Sequence, residues 1–170
     1  SYRSFADVPY ASSLFPYVEV LADLGAVNKD GTFGHEMASK EEFVKMLIIA
    51  MGQGSNLPTT GSCVFSDVCP GTSFYRYVRK CKELGICGGD SSGKFNPTQK
   101  MWKNAVAKFV VLAADRREPT ACGTRPYLDV PTESEGHVWC RYVNRLKQIF
   151  ARYDESPADY EHFQGDSLVP

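Results

Sequence analysis

A chain of 170 residues with 43% apolar residues suits one globular domain and is too apolar for a disordered segment. Its formal net charge of −1, with acids and bases interspersed, gives no basic field to hold a nucleic acid by its phosphates. The longest apolar runs, Met46 to Met51 and Phe109 to Ala114, fall far short of the ~20 residues that cross a bilayer, so no membrane span is expected. The sequence opens at Ser1 without Met, which fits a processed mature end or an excised fragment.

Ser4 to Pro9 reads as a short extended piece, with Asp7 suited to holding a turn through its carboxylate. Leu14, Tyr17, Val18, Leu21 and Leu24 then recur at three- and four-residue steps, the spacing of one helical face, and Gly25 supplies the stop. Asn28-Lys29-Asp30-Gly31 is a tight turn leading into Gly31-Thr32-Phe33. Ser39 is a good N-cap and Glu42, three residues on, completes a capping box for a helix running to Met51. Its expected buried stripe is Phe43, Met46, Leu47, Ala50 and Met51, widened by Val44, Ile48 and Ile49. Gly52 to Gly61 reads as a linker.

The same order then returns. Phe65-Ser66-Asp67-Val68 is followed by a helical face of Phe74, Tyr77, Val78, Cys81 and Leu84, a stop at Gly85, and the loop Gly93-Lys94-Phe95-Asn96-Pro97. A helix from about Trp102 carries Val106, Phe109, Val110 and Ala113, but its first turn lacks both the Ser cap and the Glu. After a second polar linker, Asp115 to Gly123, a third opening appears as Tyr127-Leu128-Asp129-Val130-Pro131. There Trp139, Tyr142, Val143, Leu146, Ile149 and Phe150 keep helical spacing. Arg152 to Pro170 has no Gly-x-Phe loop and no closing apolar helix, leaving Tyr160 and Phe163 as packing anchors of a truncated or remodelled unit.

Repetition at a fixed period outranks any local reading, and units of about 55 to 62 residues are each too small to bury a good core alone. The expectation is a mostly α-helical, single compact domain over residues 1–170. It is built from repeats at 1–54 and 62–115 and a degenerate third at 124–170.

Six cysteines occur, an even number that fits an oxidising compartment, with a cytosolic protein bearing free thiols as the alternative. The favoured disulfides are Cys63–Cys81, Cys69–Cys87 and Cys122–Cys140, each tying an entry segment to the helix after it. The rival set joins Cys63 to Cys69 and Cys81 to Cys87, and spacing does not choose between them. No C-x-x-C pair supports zinc. His137 and Cys140 lie one helical turn apart without a third orienting residue, His35 and His162 are scattered, and Gly88-Gly89 follows a helix where a phosphate loop needs a strand. No enzymatic activity, metal or cofactor is expected.

These ordered motifs resemble S-layer homology (SLH) repeats, which open with Phe-x-Asp-Val-Pro, pass through Gly-x-Phe-x-Pro and close with Thr-Arg-Ala-Glu at a second helix. The resemblance covers nearly all of residues 5–114 and half a unit at 127–150. It implies three repeats around a pseudo-threefold helical bundle, on a bacterial cell surface or wall, outside the cell. It also implies a secondary cell-wall polysaccharide, often bearing a pyruvate ketal, in grooves between repeats. The basic residue of the closing motif falls on Lys40 and Lys103, beside Ser39 and Glu42 in the first unit and Trp102 in the second. Lys offers a point charge where Arg would form a two-pronged bond to a carboxylate.

Trp102, Tyr75 and Trp139 are candidate sugar-stacking surfaces, Trp102 being equally a wedge between repeats. Asp7, Asp67 and Asp129 either line the grooves or, as their short side chains favour, cap their own turns. Backbone N–H groups at the start of the helix after Ser39 are a further candidate for holding an anion. The rival function is a structural subunit that binds other surface-layer or envelope proteins, favoured by the degraded closing motifs and the incomplete third unit.

Overall fold

A computed structural model of the chain describes residues 3–29, 31–34, 38–123, 127, 130 and 138–151. Among these the architecture is helical: α1 (Phe15–Asp23), α2 (Lys40–Ala50), α3 (Tyr75–Glu83), α4 (Lys103–Asp115) and α5 (Trp139–Phe150), with no strand. The chain divides into two compact units. One holds the stretch up to Glu83 together with Cys87–Gln99; the other holds Leu84–Ile86 and the residues from Lys100 onward.

In the first unit α1 ends where the sequence requires. Gly25 takes a left-handed φ of 69°, open to Gly without a Cβ clash, and Ala26 N–H reaches back to the Leu21 carbonyl at 2.9 Å. Beneath α1, Phe5, Val8, Val18 and Ala22 form a small core, with Phe15 and Val27 packed against it. The face expected to be buried is largely bare: Leu14 and Leu24 are exposed and Tyr17 is 70% exposed. Position Tyr17-Val18 repeats as Tyr77-Val78 in α3 and Tyr142-Val143 in α5, and both of those tyrosines are buried. The physical reason is packing. α3 lies against α2 and α5 against α4, whereas no described helix precedes α1.

α2 corrects the expected stripe by one residue, whereas in α4 the expected Phe109 is buried. Val44 and Ile48 are the most buried positions of α2, and their counterparts Ala107 and Val111 are equally buried in α4. Phe43, Met46 and Leu47 are only half-buried. α2 packs on α3, and the line through Val44 and Ile48 is the one it buries, so residues expected to widen the face form its centre.

Disulfides join Cys63 to Cys69, Cys81 to Cys87, and Cys122 to Cys140. The first two correct the favoured pairings: the entry turn brings Cys63 and Cys69 to a Cα separation of 4.0 Å, and the chain reversal after α3 brings Cys81 and Cys87 to 5.3 Å. Each bridge therefore closes a short local loop. No described helix is long and apolar enough to cross a membrane.

Candidate functional site

The recurring aspartates do more than cap their own turns. Asp7 accepts from the backbone N–H groups of Phe33 at 2.7 Å and Gly34 at 2.8 Å; Asp67 accepts from Phe95 and Asn96, both at 2.8 Å. At both places one carboxylate thus clamps the Gly-x-Phe loop through two peptide groups. The aromatic partners repeat as well: Phe5 meets Phe33 edge-on with centroids 5.5 Å apart, and Phe65 stacks on Phe95 at 5.3 Å. Partial burial pushes the Asp67 carboxyl up, but the Phe95 and Asn96 N–H groups outweigh it and hold the group below its ordinary value. Asp129 lies outside the described residues.

Asp90 organises the same loop from within. It accepts from the Ser92 hydroxyl at 2.7 Å, from Lys94 N–H at 3.0 Å and from the Asn96 amide at 2.8 Å, which holds its carboxyl well below the usual range. The loop is therefore rigid on both flanks.

Against it stands the start of α2. The capping box forms as its residues dictate: Glu42 accepts from Ser39 N–H at 2.7 Å, and Ser39 Oγ accepts from Glu42 N–H. Lys40 N–H donates to the Gln99 carbonyl at 2.8 Å and Glu41 N–H to the Pro97 carbonyl at 3.0 Å. These bonds correct one expectation, because the helix-start amides are satisfied by the 97–99 turn. Lys40 Nζ reaches the Phe95 carbonyl at 2.7 Å and lies 4.4 Å from the centre of the Phe95 ring. The start of α2 is thus seated on the loop at Phe95. Glu41 beside it has a raised carboxyl, first through partial burial and then through its like-charged neighbour Glu42.

The other candidates are placed differently. Tyr75 is 2% exposed and its hydroxyl donates to the Ser62 carbonyl at 2.9 Å, so its ring offers no face to a sugar. Trp102 is 41% exposed at the start of α4, in an extended conformation and with no side-chain capping bond. Lys103 follows it, half-buried, and its ammonium makes no ion pair or hydrogen bond among the described residues. Trp139 is half-buried and tilted against Tyr142 at 6.4 Å.

Lys82 escaped sequence reasoning. Its Nζ donates to the Val64 carbonyl at 2.7 Å and lies 4.5 Å from the Phe65 ring centre, tying α3 to the entry segment. Its only signal was a lysine on the helix that follows an aromatic entry motif, a pattern too common to single out.

Entry segment, helix, carboxylate-clamped loop and closing helix follow one another twice in sequence order among the described residues. Residues 64–101 match the S-layer homology domain, a non-catalytic family whose members bind cell-wall polysaccharide and act in cell-surface attachment. The match runs from the entry segment of the second repeat to the threshold of α4. No curated protein matches the chain.

Proposed function

We propose that this chain attaches its parent protein to a bacterial cell surface by binding an acidic, pyruvylated secondary wall polysaccharide in grooves between repeats, without catalysis. The observation that carries this reading is the seating of Ser39-Lys40 of the first repeat on Phe95 of the second, beside the family match. A seam of that kind puts a cation and a clamped loop backbone at one place. Lys40 and Lys103 serve as charge partners for the ligand carboxylate, Trp102 and Trp139 as flat surfaces for the sugar ring, and Asp7 and Asp67 as the clamps that fix the loops. In this reading the repeats at 1–54, 62–115 and 124–170 form one domain around a pseudo-threefold axis, and the module works outside the cell.

Co-sedimentation with purified wall polysaccharide tests the proposal, with Lys40→Ala and Lys103→Ala alongside. Retention of the parent chain and loss in both variants supports it; a parent chain that stays in the supernatant refutes it.

One observation favours a second reading, that of a structural subunit. The bare α1 face of Leu14, Tyr17 and Leu24 is the face that α3 and α5 bury against a neighbouring helix. A protein partner in a surface layer or envelope complex would cover it. Co-purification of a surface protein lost on Tyr17→Glu, with no polysaccharide bound, would select this alternative.

A further inference from the structure

The entry turn at Phe65 carries a covalent bridge that its counterpart at Phe5 lacks. Aligning Phe65-Ser66-Asp67-Val68 with Phe5-Ala6-Asp7-Val8 places Cys63 on Arg3 and Cys69 on Pro9. The two turns are otherwise fastened alike. Val68 N–H donates to the Phe65 carbonyl at 3.0 Å and Val8 N–H to the Phe5 carbonyl at 3.4 Å. Ser66 N–H reaches the Gly93 carbonyl and Ala6 N–H the Gly31 carbonyl, both at 3.1 Å. Phe65, Val68, Phe5 and Val8 are all buried. A turn of this kind therefore forms and packs without sulfur, and the Cys63–Cys69 bond is an addition to it.

This bridge is also placed unlike the other two. Cys63 is exposed and Cys69 half-buried, whereas Cys81, Cys87, Cys122 and Cys140 are each at most 7% exposed. Two cations of α3 are turned toward the segment that carries Cys63: Arg79 Nη1 donates to the Thr60 carbonyl at 2.8 Å, and Lys82 Nζ to the Val64 carbonyl at 2.7 Å. Glu83 offsets Arg79 at 3.0 Å, and the Asp67 carboxylate is engaged by the Phe95 and Asn96 N–H groups. Lys82 makes no ion pair among the described residues. Exposure beside a cation is the setting in which cysteine sulfur reacts, because it admits a thiolate and favours negative charge there. The main chain at both sulfurs is anchored independently of the bridge. The Ser62 carbonyl accepts from the Tyr75 hydroxyl at 2.9 Å, and the Cys69 carbonyl from the Thr72 hydroxyl at 3.0 Å and Thr72 N–H at 3.2 Å. Parting the sulfurs leaves each backbone where it was.

We propose that Cys63–Cys69 is a thiol–disulfide exchange site, at which an external thiol is joined reversibly to Cys63. The incoming thiol gives its proton to solvent, and its thiolate attacks Cys63 Sγ, the exposed sulfur. The S–S bond breaks and its electron pair leaves with Cys69, which takes up a proton. One disulfide is lost and one is gained, so the exchange needs no other oxidant or reductant. Because both backbones remain anchored, Cys69 stays beside the new bond. Its own attack on Cys63 Sγ expels the guest and restores the bridge once free thiol is withdrawn. The guest is a small thiol or a cysteine of a different protein, since an oxidised second copy of this chain has no free thiol to offer. The site is independent of the polysaccharide reading and uses none of the residues assigned to that ligand.

The test incubates the intact oxidised chain in native buffer at about pH 8, where thiols are partly ionised. One arm contains reduced glutathione; the other contains reduced thioredoxin whose second active-site cysteine is replaced by serine. Iodoacetamide stops the reaction and peptide mapping by mass spectrometry locates each modification. The expected product is a single adduct on Cys63 with Cys69 the only alkylated cysteine, formed about tenfold or more faster than any change at the four buried sulfurs. The far-UV spectrum and the Phe95 and Asn96 amide shifts stay as in the untreated chain, and removal of the free thiol without alkylation returns the original mass. Cys63→Ser with Cys69→Ser forms no adduct and keeps the same spectra, as the sulfur-free turn at Phe5 predicts. Reaction with glutathione alone, with thioredoxin alone or with both supports the site and assigns the size of its guest. No adduct in either arm, an adduct on Cys69, equal reaction at the buried bridges, or unfolding in the adduct or the double variant would each overturn it.

Discussion

Replacing Asp67 by Asn preserves shape but removes the charge and sets an NH₂ group against one of the two peptide N–H groups the carboxylate now receives. Hydrogen bonds to a charged acceptor contribute roughly 1.5–3 kcal/mol each, and a neutral amide retains only one, worth about 1 kcal/mol. Asp67 is half-buried and water recovers part of the loss, so the expected destabilisation is about 2 kcal/mol. Urea unfolding followed by far-UV circular dichroism at pH 7 measures it, and hydrogen exchange at the Phe95 and Asn96 amides should accelerate in parallel.

The pH dependence fixes the sign. The folded carboxyl titrates below its unfolded value of about 4, so its stabilisation is present at neutral pH and disappears as pH falls from there through the folded value. Parent and variant should therefore converge in acid. A difference under about 0.5 kcal/mol at pH 7, or one that widens as pH falls, would refute the clamp.

Ser39→Ala removes the α2 cap and should cost about 1 kcal/mol in the same assay, against near-neutral behaviour for a surface serine such as Ser13. Tyr77→Ala, at a side chain 6% exposed, should cost about 3 kcal/mol or more, whereas its repeat counterpart Tyr17→Ala should stay within about 0.5 kcal/mol in the isolated chain. Equal losses at the two sites would show that α1 is covered. Peptide mapping under non-reducing conditions should recover Cys63–Cys69, Cys81–Cys87 and Cys122–Cys140 with no free thiol. A Cys63–Cys81 peptide would contradict the loop geometry.

The helical class and the limits of α1 and α2 were legible because their signals are local: a three-four apolar rhythm, Gly25 after the last turn, and Ser39 with Glu42 at the first. Which face would be buried was not, because Tyr17 and Tyr77 occupy identical local patterns and differ only in whether a neighbouring helix lies on them. The same limit governs the site. The recurrence of Asp7 and Asp67 could be read directly, but their partners lie 26 to 29 residues ahead and could not. Lys40 was conspicuous at a helix start, where a cation opposes the macrodipole, yet its contact with Phe95 spans 55 residues and no spacing rule reaches that far. Cys122–Cys140 was read correctly, whereas Cys63–Cys81 and Cys69–Cys87 failed for a related reason, since proximity of Cys63 and Cys69 is a property of a turn shape.

The clamp addresses peptide groups and ignores side chains. Glycine at 34 and asparagine at 96 satisfy it equally, each through a backbone nitrogen 2.8 Å from an oxygen. Mutation can therefore alter what the loop presents to the outside without loosening how it is fastened, and the loops at Phe33 and Phe95 are free to diverge in their side chains while keeping a common frame.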